Sequence, residues 1–190
     1  MKKIIIICIL AAALMLSLAA CSNKNNTEHS TDNLPEACTE ELIYKLNADG
    51  QSYKLVNVGK CTCESIVIPE TYNGLPVTEI GDGAFNKCQT VKSITIPLSV
   101  TGIWHRAFVN CTNLESVNIP SSVQKIGFYV FSGCRSLKTV TIPASVTYVG
   151  GDLFSGCDGI IVNCETVSQP AEWESNWSSG VSVKWGYTAE

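Results

Sequence analysis

The amino-acid sequence predicts a solenoid, mainly β with short 3-10 or helical turns, in which coils of about 23 residues stack into a parallel sheet. The first observation behind this prediction is a set of residue types that recur in steps of 23. They are the cysteines Cys88, Cys111, Cys134 and Cys157, the phenylalanines Phe85, Phe108, Phe131 and Phe154, and the branched residues Ile80, Ile103, Ile126 and Val149. The second observation is a short β pattern at the same place in successive units, which ends at Pro97, Pro120 and Pro143. Because several residue types keep one period, the repeat is a property of the fold.

Each repeat contains a short strand in which apolar and polar residues alternate. In the unit that begins at Ser93, the residues predicted to face inward on successive sides of the coil are Ile94, Ile96, Val100, Ile103 and Phe108. Ser93 and Thr95 are predicted to point outward. Proline ends each strand because it has no amide hydrogen to donate to a neighbouring strand.

Both ends of such a stack need a cap, because a coil buries its apolar side only against a neighbour. At the amino-terminal end, residues 42–46 and 53–56 flank turn-forming residues and predict a β-hairpin. At the other end, Trp173 and Trp177 are predicted to share a helix face. Residues 181–185 alternate like a final strand that ends at Trp185. The terminal tryptophans are interpreted as a lid, with a sugar-stacking platform as the alternative.

The amino-terminal segment has the pattern of an export signal. Lys2 and Lys3 precede a short apolar stretch, residues 4–16, and residues 18–21 resemble a bacterial lipobox. That resemblance implies that Cys21 receives a diacylglyceryl group and becomes the mature amino terminus. The alternative is an ordinary signal peptide followed by a chance cysteine. Beyond Cys21, no apolar stretch is long enough to span a membrane.

These features predict five segments. They are a signal peptide at 1–20, a lipid-anchored flexible linker at 21–40, a hairpin cap at 41–62, the repeats at 63–164 and a carboxy-terminal cap at 165–190. Removal of Lys2 and Lys3 with the signal peptide changes the net charge from −4 to −6. An acidic chain of this kind gives no indication of a nucleic-acid partner.

The cysteine column at 88, 111, 134 and 157 predicts buried structural thiols. Metal ligands need short spacings to converge on one ion, so no metal or other cofactor is predicted. Disulfides along the column are geometrically possible, but side chains in register point in parallel. Cys38, Cys61, Cys63 and Cys164 lie outside the column, and an extracytoplasmic compartment permits disulfides among them. Whether Cys38 pairs with Cys61 or with Cys63 stays open.

No nucleophile and base are placed together by the repeat, so no catalytic residue is predicted and the chain is not expected to be an enzyme. The stacking instead predicts an exposed group of aromatic and basic side chains on one edge of the solenoid. This aromatic-basic patch comprises Trp104, His105, Arg106, Phe128, Tyr129 and Tyr148. Aromatic residues and arginine are favoured at protein-binding sites, so the patch is a candidate binding surface. The alternative is that these side chains only pack the loops.

The outward side chains of the repeated strands form a second candidate surface. They are small and mostly carry hydroxyl groups, at Ser93, Thr95, Ser116, Asn118, Thr139 and Thr141. Such a face either hydrogen-bonds a partner or is simply a well-solvated sheet.

The repeat unit resembles the BspA-like, or Treponema-type, leucine-rich repeat in its order of isoleucine, proline, valine, phenylalanine, cysteine and leucine. The segment 68–81 is similar to the first repeat of that family, and Cys164 to Trp173 with Trp185 is similar to its closing cap. One departure is Trp104, which occupies the column filled elsewhere by Gly81, Gly127 and Gly150. The resemblance implies a leucine-rich-repeat solenoid attached to a bacterial surface. Some relatives are adhesins for host matrix proteins, and the family implies no catalytic residues.

The function predicted is therefore a cell-surface, lipid-anchored module that binds an extracellular protein. A glycan-binding module acting through the terminal tryptophans is the first alternative. An enzyme that uses His105, the one histidine of the repeats, is the second. An envelope-structural protein without a dedicated ligand is also compatible with the sequence.

Overall fold

The computed structural model describes residues 41–60 and 62–188. These residues belong to one compact unit, Asn33–Glu190. The predicted signal peptide, the lipid-attachment residue Cys21, the linker, Cys38 and Cys61 lie outside the described residues.

Thirteen short strands are found in the described part of the chain, and none exceeds six residues. The first seven are β1 (Ile43–Leu46), β2 (Tyr53–Asn57), β3 (Ser65–Val67), β4 (Thr71–Tyr72), β5 (Leu75–Ile80), β6 (Ser93–Thr95) and β7 (Gly102–Ile103). The others are β8 (Ser116–Asn118), β9 (Lys125–Ile126), β10 (Thr139–Ile142), β11 (Tyr148–Val149), β12 (Ile161–Cys164) and β13 (Ser182–Trp185). The predicted β-solenoid is confirmed.

The repeated strands form the first side of the solenoid, with β3, β6 and β8 in one parallel sheet and β10, β12 and β13 in another. Ile94 and Ile96 are buried, as the alternation predicts. Ser93 lies opposite Ser65 and donates a hydrogen bond of 3.0 Å from its Oγ to the Ser65 Oγ. The outward serine therefore links two coils while its isoleucine neighbours fill the core.

The second side is a sheet with the order β1-β2-β5-β7-β9-β11. Strands β1 and β2 form the predicted antiparallel hairpin, and the other successive pairs on this path are parallel. Asp49 closes the hairpin turn, because its Oδ1 accepts the amides of Gln51 and Ser52 at 2.9 and 3.1 Å. The hairpin thus begins the stack.

The third side connects the two sheets and contains turns, and none of the described residues is in a helix. Alternate amides point to the next coil: those of Gly83, Phe85 and Lys87 donate to the carbonyls of His105, Ala107 and Val109. The amides between them, of Ala84, Asn86 and Cys88, bond to carbonyls three residues earlier in their own coil. Because every second amide leaves the coil, no helix can continue, and the predicted short turns are present as isolated turns closed by bonds three residues back.

This alternation places two columns of residues in the left-handed backbone region. One column is Gly83, Arg106, Tyr129 and Asp152, with φ of 61°, 56°, 58° and 54°. The other is Lys87, Asn110, Gly133 and Gly156, with φ of 61°, 59°, 77° and 76°. A residue with a Cβ loses about 1–2 kcal/mol in this conformation, so the non-glycine members are strained.

A stack of aromatic rings runs through the core. Ring centroids are 5.0 Å apart between Phe85 and Phe108, 5.4 Å between Phe108 and Phe131, and 5.6 Å between Phe131 and Phe154. Trp177 continues the stack, with its centroid 6.5 Å from that of Phe154. The column therefore passes from the repeats into the cap.

The carboxy-terminal cap is built differently from the prediction. Trp173 and Trp177 are buried and lie in turns, so they share no helix face. Their indole N–H groups are used inside the protein, where Trp173 donates to the Val146 carbonyl and Trp177 to the Gln169 side chain. The predicted final strand is confirmed as β13, which pairs in parallel with β12.

The cysteine column divides into two kinds of residue. Cys111, Cys134 and Cys157 are free thiols, and each donates to the carbonyl of a phenylalanine in the preceding coil at 3.0–3.1 Å. Cys88 is disulfide-bonded, so the prediction of a free thiol is wrong for this position. It stands in the first full repeat, at the start of the stack.

Burial makes these thiols poor acids. It raises the pKa of Cys111 to about 12 and that of Cys157 to about 11. Burial also raises the pKa of Cys134, and neighbouring thiols add to that effect. Cys164, outside the column, is also free and buried, and its pKa is raised to about 12. Cys63 is disulfide-bonded.

Candidate functional site

The structure brings the aromatic-basic patch together along the edge between the second and third sides. Trp104, His105 and Arg106 follow β7 directly, and Phe128 and Tyr129 follow β9. Tyr148, the sixth member, begins β11. The elements that carry the patch are thus successive coils in register.

The rings of the patch form a continuous row. Centroids are 6.3 Å apart between Trp104 and His105, 5.3 Å between His105 and Phe128, and 6.4 Å between Phe128 and Tyr148. Arg106 lies beside this row with its Cζ 5.5 Å from the centroid of the Tyr129 ring. Arg106 and Tyr129 are exposed, and the other four side chains are half-buried.

Two adjacent clefts open along the row. The larger, here called the main cleft, has a volume of about 520 Å³ and is lined by Asp82, Gly83, Asn86, His105, Arg106, Phe128 and Tyr129. The smaller has about 440 Å³ and is lined by Lys45, Lys54, Val56, Glu79, Asp82, Trp104 and His105. Asp82 and His105 line both clefts, whereas Tyr148 lines neither.

His105 links three coils at the wall between the clefts. Its amide donates to the Asp82 Oδ1 at 3.0 Å, and its Nδ1 accepts the amide of Phe128 at 2.9 Å. An imidazole that accepts through Nδ1 carries its hydrogen on Nε2 when neutral, so Nε2 is a donor. The Nδ1 of His105 bonds to a backbone amide and not to a nucleophile. His105 therefore fixes the geometry of the patch.

Gly127 permits this arrangement by its lack of a side chain. A Cβ there would lie 2.7 Å from the backbone nitrogen of His105 and 2.8 Å from its Nδ1. Such distances are shorter than carbon–nitrogen van der Waals contact. The glycine therefore lets the next coil come close enough for Phe128 to bond to His105.

Trp104 is a large residue where the other coils have glycine, and Gly102 is a glycine where the other coils have larger side chains. Trp104 stands in the glycine column, and Gly102 stands in an outward row whose other members are Glu79, Lys125 and Tyr148. A Cβ at Gly102 would lie 3.6 Å from the indole of Trp104, so the ring occupies the space that this glycine leaves. The Nε1 of Trp104 is buried and has no hydrogen-bond partner. The interrupted glycine column was the signal in the sequence for this residue.

Among the described residues, some charged side chains near the patch form ion pairs, whereas the guanidinium of Arg106 does not. Lys54 and Glu79 form an ion pair of 3.4 Å at the smaller cleft. The described residues contain one other ion pair, Lys92 with Glu64, so Arg106 is in neither. Its guanidinium lies against the Tyr129 ring and is open to solvent. At the end of the row, burial and the carboxylate of Glu174 raise the pKa of Tyr148.

Three lining residues of the main cleft, Asp82, Gly83 and Asn86, were not among the predicted site residues. Asp82 precedes His105 by one period, so its place beside the patch could be found from the repeat. Asn86 reaches the cleft from the middle of a turn segment. The alternation of turns in that segment has no signature in a single sequence, so nothing pointed to Asn86.

The other surfaces considered from the sequence offer less. The hydroxyl-rich face has a shallow groove of about 290 Å³, lined in part by Ser93, Thr95, Ser116 and Thr141. Among the terminal tryptophans, only Trp185 is exposed, at 37%. Since Trp173 and Trp177 are buried, they cannot offer their rings to a sugar.

Neither a metal site nor a membrane-spanning element is found in the part of the chain that the structure describes. No three histidine, cysteine, aspartate or glutamate side chains in residues 41–60 and 62–188 are grouped to hold an ion. Over the same residues, no helix has the length and apolar character needed to cross a bilayer.

The stacked parallel coils with their repeated apolar frame define a leucine-rich-repeat solenoid. Residues 58–172 match the BspA type leucine rich repeat region, in six copies. This match covers more than half of the chain, so the protein belongs to the BspA-type leucine-rich-repeat family. The resemblance seen in the sequence is confirmed.

Solved structures agree with this assignment. A leucine-rich repeat protein of T. pallidum is 28% identical over 67% of this chain and 71% of its own, with a TM-score of 0.55. One from Bacteroides ovatus is 29% identical over 77% of this chain and 41% of its own, with a TM-score of 0.56. A leucine rich cell surface protein of Faecalibacterium prausnitzii is 29% identical over 71% of this chain and 46% of its own, with a TM-score of 0.51. The chain thus spans less than half of the last two proteins. No curated protein matches it significantly in sequence.

Proposed function

We propose that this chain is a surface-attached binding module whose aromatic-basic patch recognises an extracellular protein. The observation that carries the proposal is the continuous row of rings beside Arg106, which is in no ion pair of the described residues. Aromatic side chains and arginine dominate the energy of many protein interfaces. A solenoid also offers extended surface rather than an enclosed volume, which suits recognition better than catalysis.

Attachment to the membrane is proposed through Cys21. Its sequence context resembles a lipobox, and two acyl chains bury enough methylene groups to anchor a protein stably. The similar protein of F. prausnitzii is a cell surface protein, which supports the same location here. In this arrangement residues 21–40 are a tether that holds the hairpin cap, the repeats at 63–164 and the closing cap away from the lipid.

The proposed role is binding without catalysis. His105 is the single histidine of the repeats, and its Nδ1 accepts a backbone amide. Of the free cysteines in the described residues, Cys111, Cys134 and Cys164 are buried and Cys157 is half-buried, and the raised pKa of each thiol keeps it protonated at neutral pH. These observations support neither a histidine base nor a thiolate nucleophile.

The binding proposal is tested with the chain from Ser22 onward and a panel of immobilised matrix glycoproteins and glycans. The site variant is Arg106→Gly with Tyr129→Gly, and both positions have left-handed backbone that suits glycine. The matched control is Lys87→Gly with Asn110→Gly, which has the same backbone conformation and lies outside the main cleft. Each pair removes one cation, so bulk charge is matched.

Saturable binding to a protein that the site variant loses and the control keeps would support the proposal. Binding that both variants keep would move the site to the hydroxyl-rich face or to a cap. A panel with no protein bound, whether or not a glycan binds, would reject adhesion to these partners. An envelope-structural or glycan-binding role would then take its place.

A further inference from the structure

We infer that the main cleft recognises a carboxylate side chain next to an apolar side chain on the partner protein. This inference rests on the proposed function, since it names the chemistry that the same site takes. Three features of the cleft lead to it: an available guanidinium, two further donors among the lining residues, and an apolar wall.

Arg106 supplies the charge. Its guanidinium lies over the Tyr129 ring, with Cζ 5.5 Å from the centroid, and makes no ion pair with the described residues. An arginine held over an aromatic ring keeps N–H groups at the guanidinium edge available to another ligand. That edge matches a carboxylate in two parallel hydrogen bonds. Arg106 is therefore oriented by Tyr129 to accept an anion from outside.

Donors beside Arg106 extend the same preference. The hydrogen bond from Phe128 to the Nδ1 of His105 places the imidazole hydrogen on Nε2, which makes that atom a donor. The side-chain amide of Asn86, which also lines the cleft, adds a further donor. One carboxylate oxygen of Asp82 accepts the His105 amide. The negative charge of Asp82 disfavours a highly charged ligand such as a phosphate polymer. A single carboxylate fits this balance.

The apolar wall sets the second requirement. Phe128 and Tyr129 stand together in the cleft, and half of Phe128 or more is covered by its neighbours. A volume of about 520 Å³ falls in the range of sites that hold a small molecule or a few side chains. An apolar side chain beside the carboxylate would cover the Phe128 ring and exclude water from the Arg106 contact. This strengthens the ionic hydrogen bonds.

A protein segment is favoured over an acidic sugar by the shape of the site. The exposed ring is Tyr129, and Arg106 lies over it, so a sugar ring would compete with the guanidinium for that face. The pairing of charge with an apolar wall instead suits two neighbouring side chains of a peptide. The partner is thus an acidic and apolar segment of an extended chain.

The test measures binding of short acetylated and amidated peptides to the chain from Ser22 onward by NMR titration of backbone amides. The probes contain Phe-Glu, Phe-Gln or Ala-Glu in a glycine background, and a glucuronate disaccharide is the sugar probe. We expect Phe-Glu to shift the amides of Gly83, Arg106 and Tyr129 saturably. Loss of the charge in Phe-Gln removes a charge-assisted hydrogen bond, and so weakens binding by at least about tenfold.

The variants locate the effect. Arg106→Gly should abolish the preference for Phe-Glu over Phe-Gln, whereas Lys87→Gly should leave it unchanged. Equal binding of Phe-Glu and Phe-Gln, shifts outside the cleft, equal loss in both variants, or binding of the glucuronate probe alone would overturn the inference. If the glycoprotein panel still shows binding that depends on Arg106 and Tyr129, the proposed function stands while this inference fails.

Discussion

Single residues decide how closely successive coils approach at the patch. The amide of Phe128 reaches His105 because Gly127 leaves the space open, and the ring of Trp104 lies where Gly102 has no side chain. These two glycines serve different purposes. At Gly127 a Cβ would meet backbone at 2.7 Å, whereas at Gly102 it would meet the indole at an ordinary 3.6 Å.

The pair makes a matched test of close approach. Gly127→Ala should lower the free energy of unfolding by about 1–3 kcal/mol, because the new methyl group overlaps the His105 backbone. Gly102→Ala should change it by less than half as much. Urea unfolding followed by tryptophan fluorescence gives both values. Equal effects of the two substitutions would contradict the packing described here.

Backbone strain at Tyr129 gives a second prediction at this scale. Tyr129→Gly and Tyr129→Ala remove the same ring, but only glycine adopts a φ of 58° without steric penalty. The glycine variant should be more stable than the alanine variant by about 1 kcal/mol. At Lys125, in strand β9, Lys125→Ala should be more stable than Lys125→Gly because glycine weakens a strand. The same order at both positions in urea melts would rule out a left-handed residue at 129.

At the scale of elements, the turn segments of the third side are held by cross-coil hydrogen bonds. Backbone amides supply most of them, and the thiols of Cys111, Cys134 and Cys157 add bonds to the carbonyls of a preceding turn. A thiolate cannot donate such a bond and is not solvated in this core. The stability of the third side therefore depends on these three thiols being protonated.

The consequence is a loss of stability at alkaline pH. Burial raises the pKa of Cys111 to about 12 in the folded state, whereas an unfolded cysteine has a pKa of about 8.5. The stabilisation is complete below the unfolded pKa, and it is lost as the pH rises toward the folded value. Between about pH 9 and 11 each such thiol contributes a slope of up to about 1.4 kcal/mol per pH unit.

Cys111→Ala provides the measurement for this prediction. Urea midpoints of the variant should fall less steeply with pH than those of the parent, although the variant is less stable at pH 7. Parallel slopes would show that Cys111 already ionises in the folded state.

At the scale of the whole molecule, the repeat predicted the architecture because it records the same packing several times over. The inward residues Ile94, Val100, Ile103 and Phe108 are buried as their spacing requires. The hairpin and the final strand also followed from local alternation. The patch could be placed because residues one period apart lie on neighbouring coils.

The departures arise where the repeat stops or where backbone geometry is shared between coils. Cys88 keeps the period but lies at the start of the stack, and it is disulfide-bonded where the later members of the column are free thiols. Trp173 and Trp177 are four residues apart, yet the cap has turns, because the Trp173 indole donates to the last repeat and the amides of Asp152 and Leu153 in that repeat donate to carbonyls of the cap. The alternating amides of the third side depend on the neighbouring coil, which no local pattern reveals.

The proposed membrane attachment is also tested on the whole molecule. If Cys21 carries lipid, the full-length chain made in a bacterium with a lipoprotein pathway should enter the detergent phase in a Triton X-114 partition. Cys21→Ser should shift it to the aqueous phase, because no acyl chain remains to be buried. Detergent partitioning of both forms alike would argue against a lipid at this residue.

The most direct test of the central claim compares dissociation constants of the two double-glycine variants for one glycoprotein that the parent chain binds. The account predicts that Arg106→Gly with Tyr129→Gly weakens binding by at least about 100-fold, because two side chains that dominate the interface energy are removed together. The folded stability of this variant should be unchanged or higher. Lys87→Gly with Asn110→Gly should bind like the parent. Equal affinities of the two variants would contradict a binding site at the aromatic-basic patch.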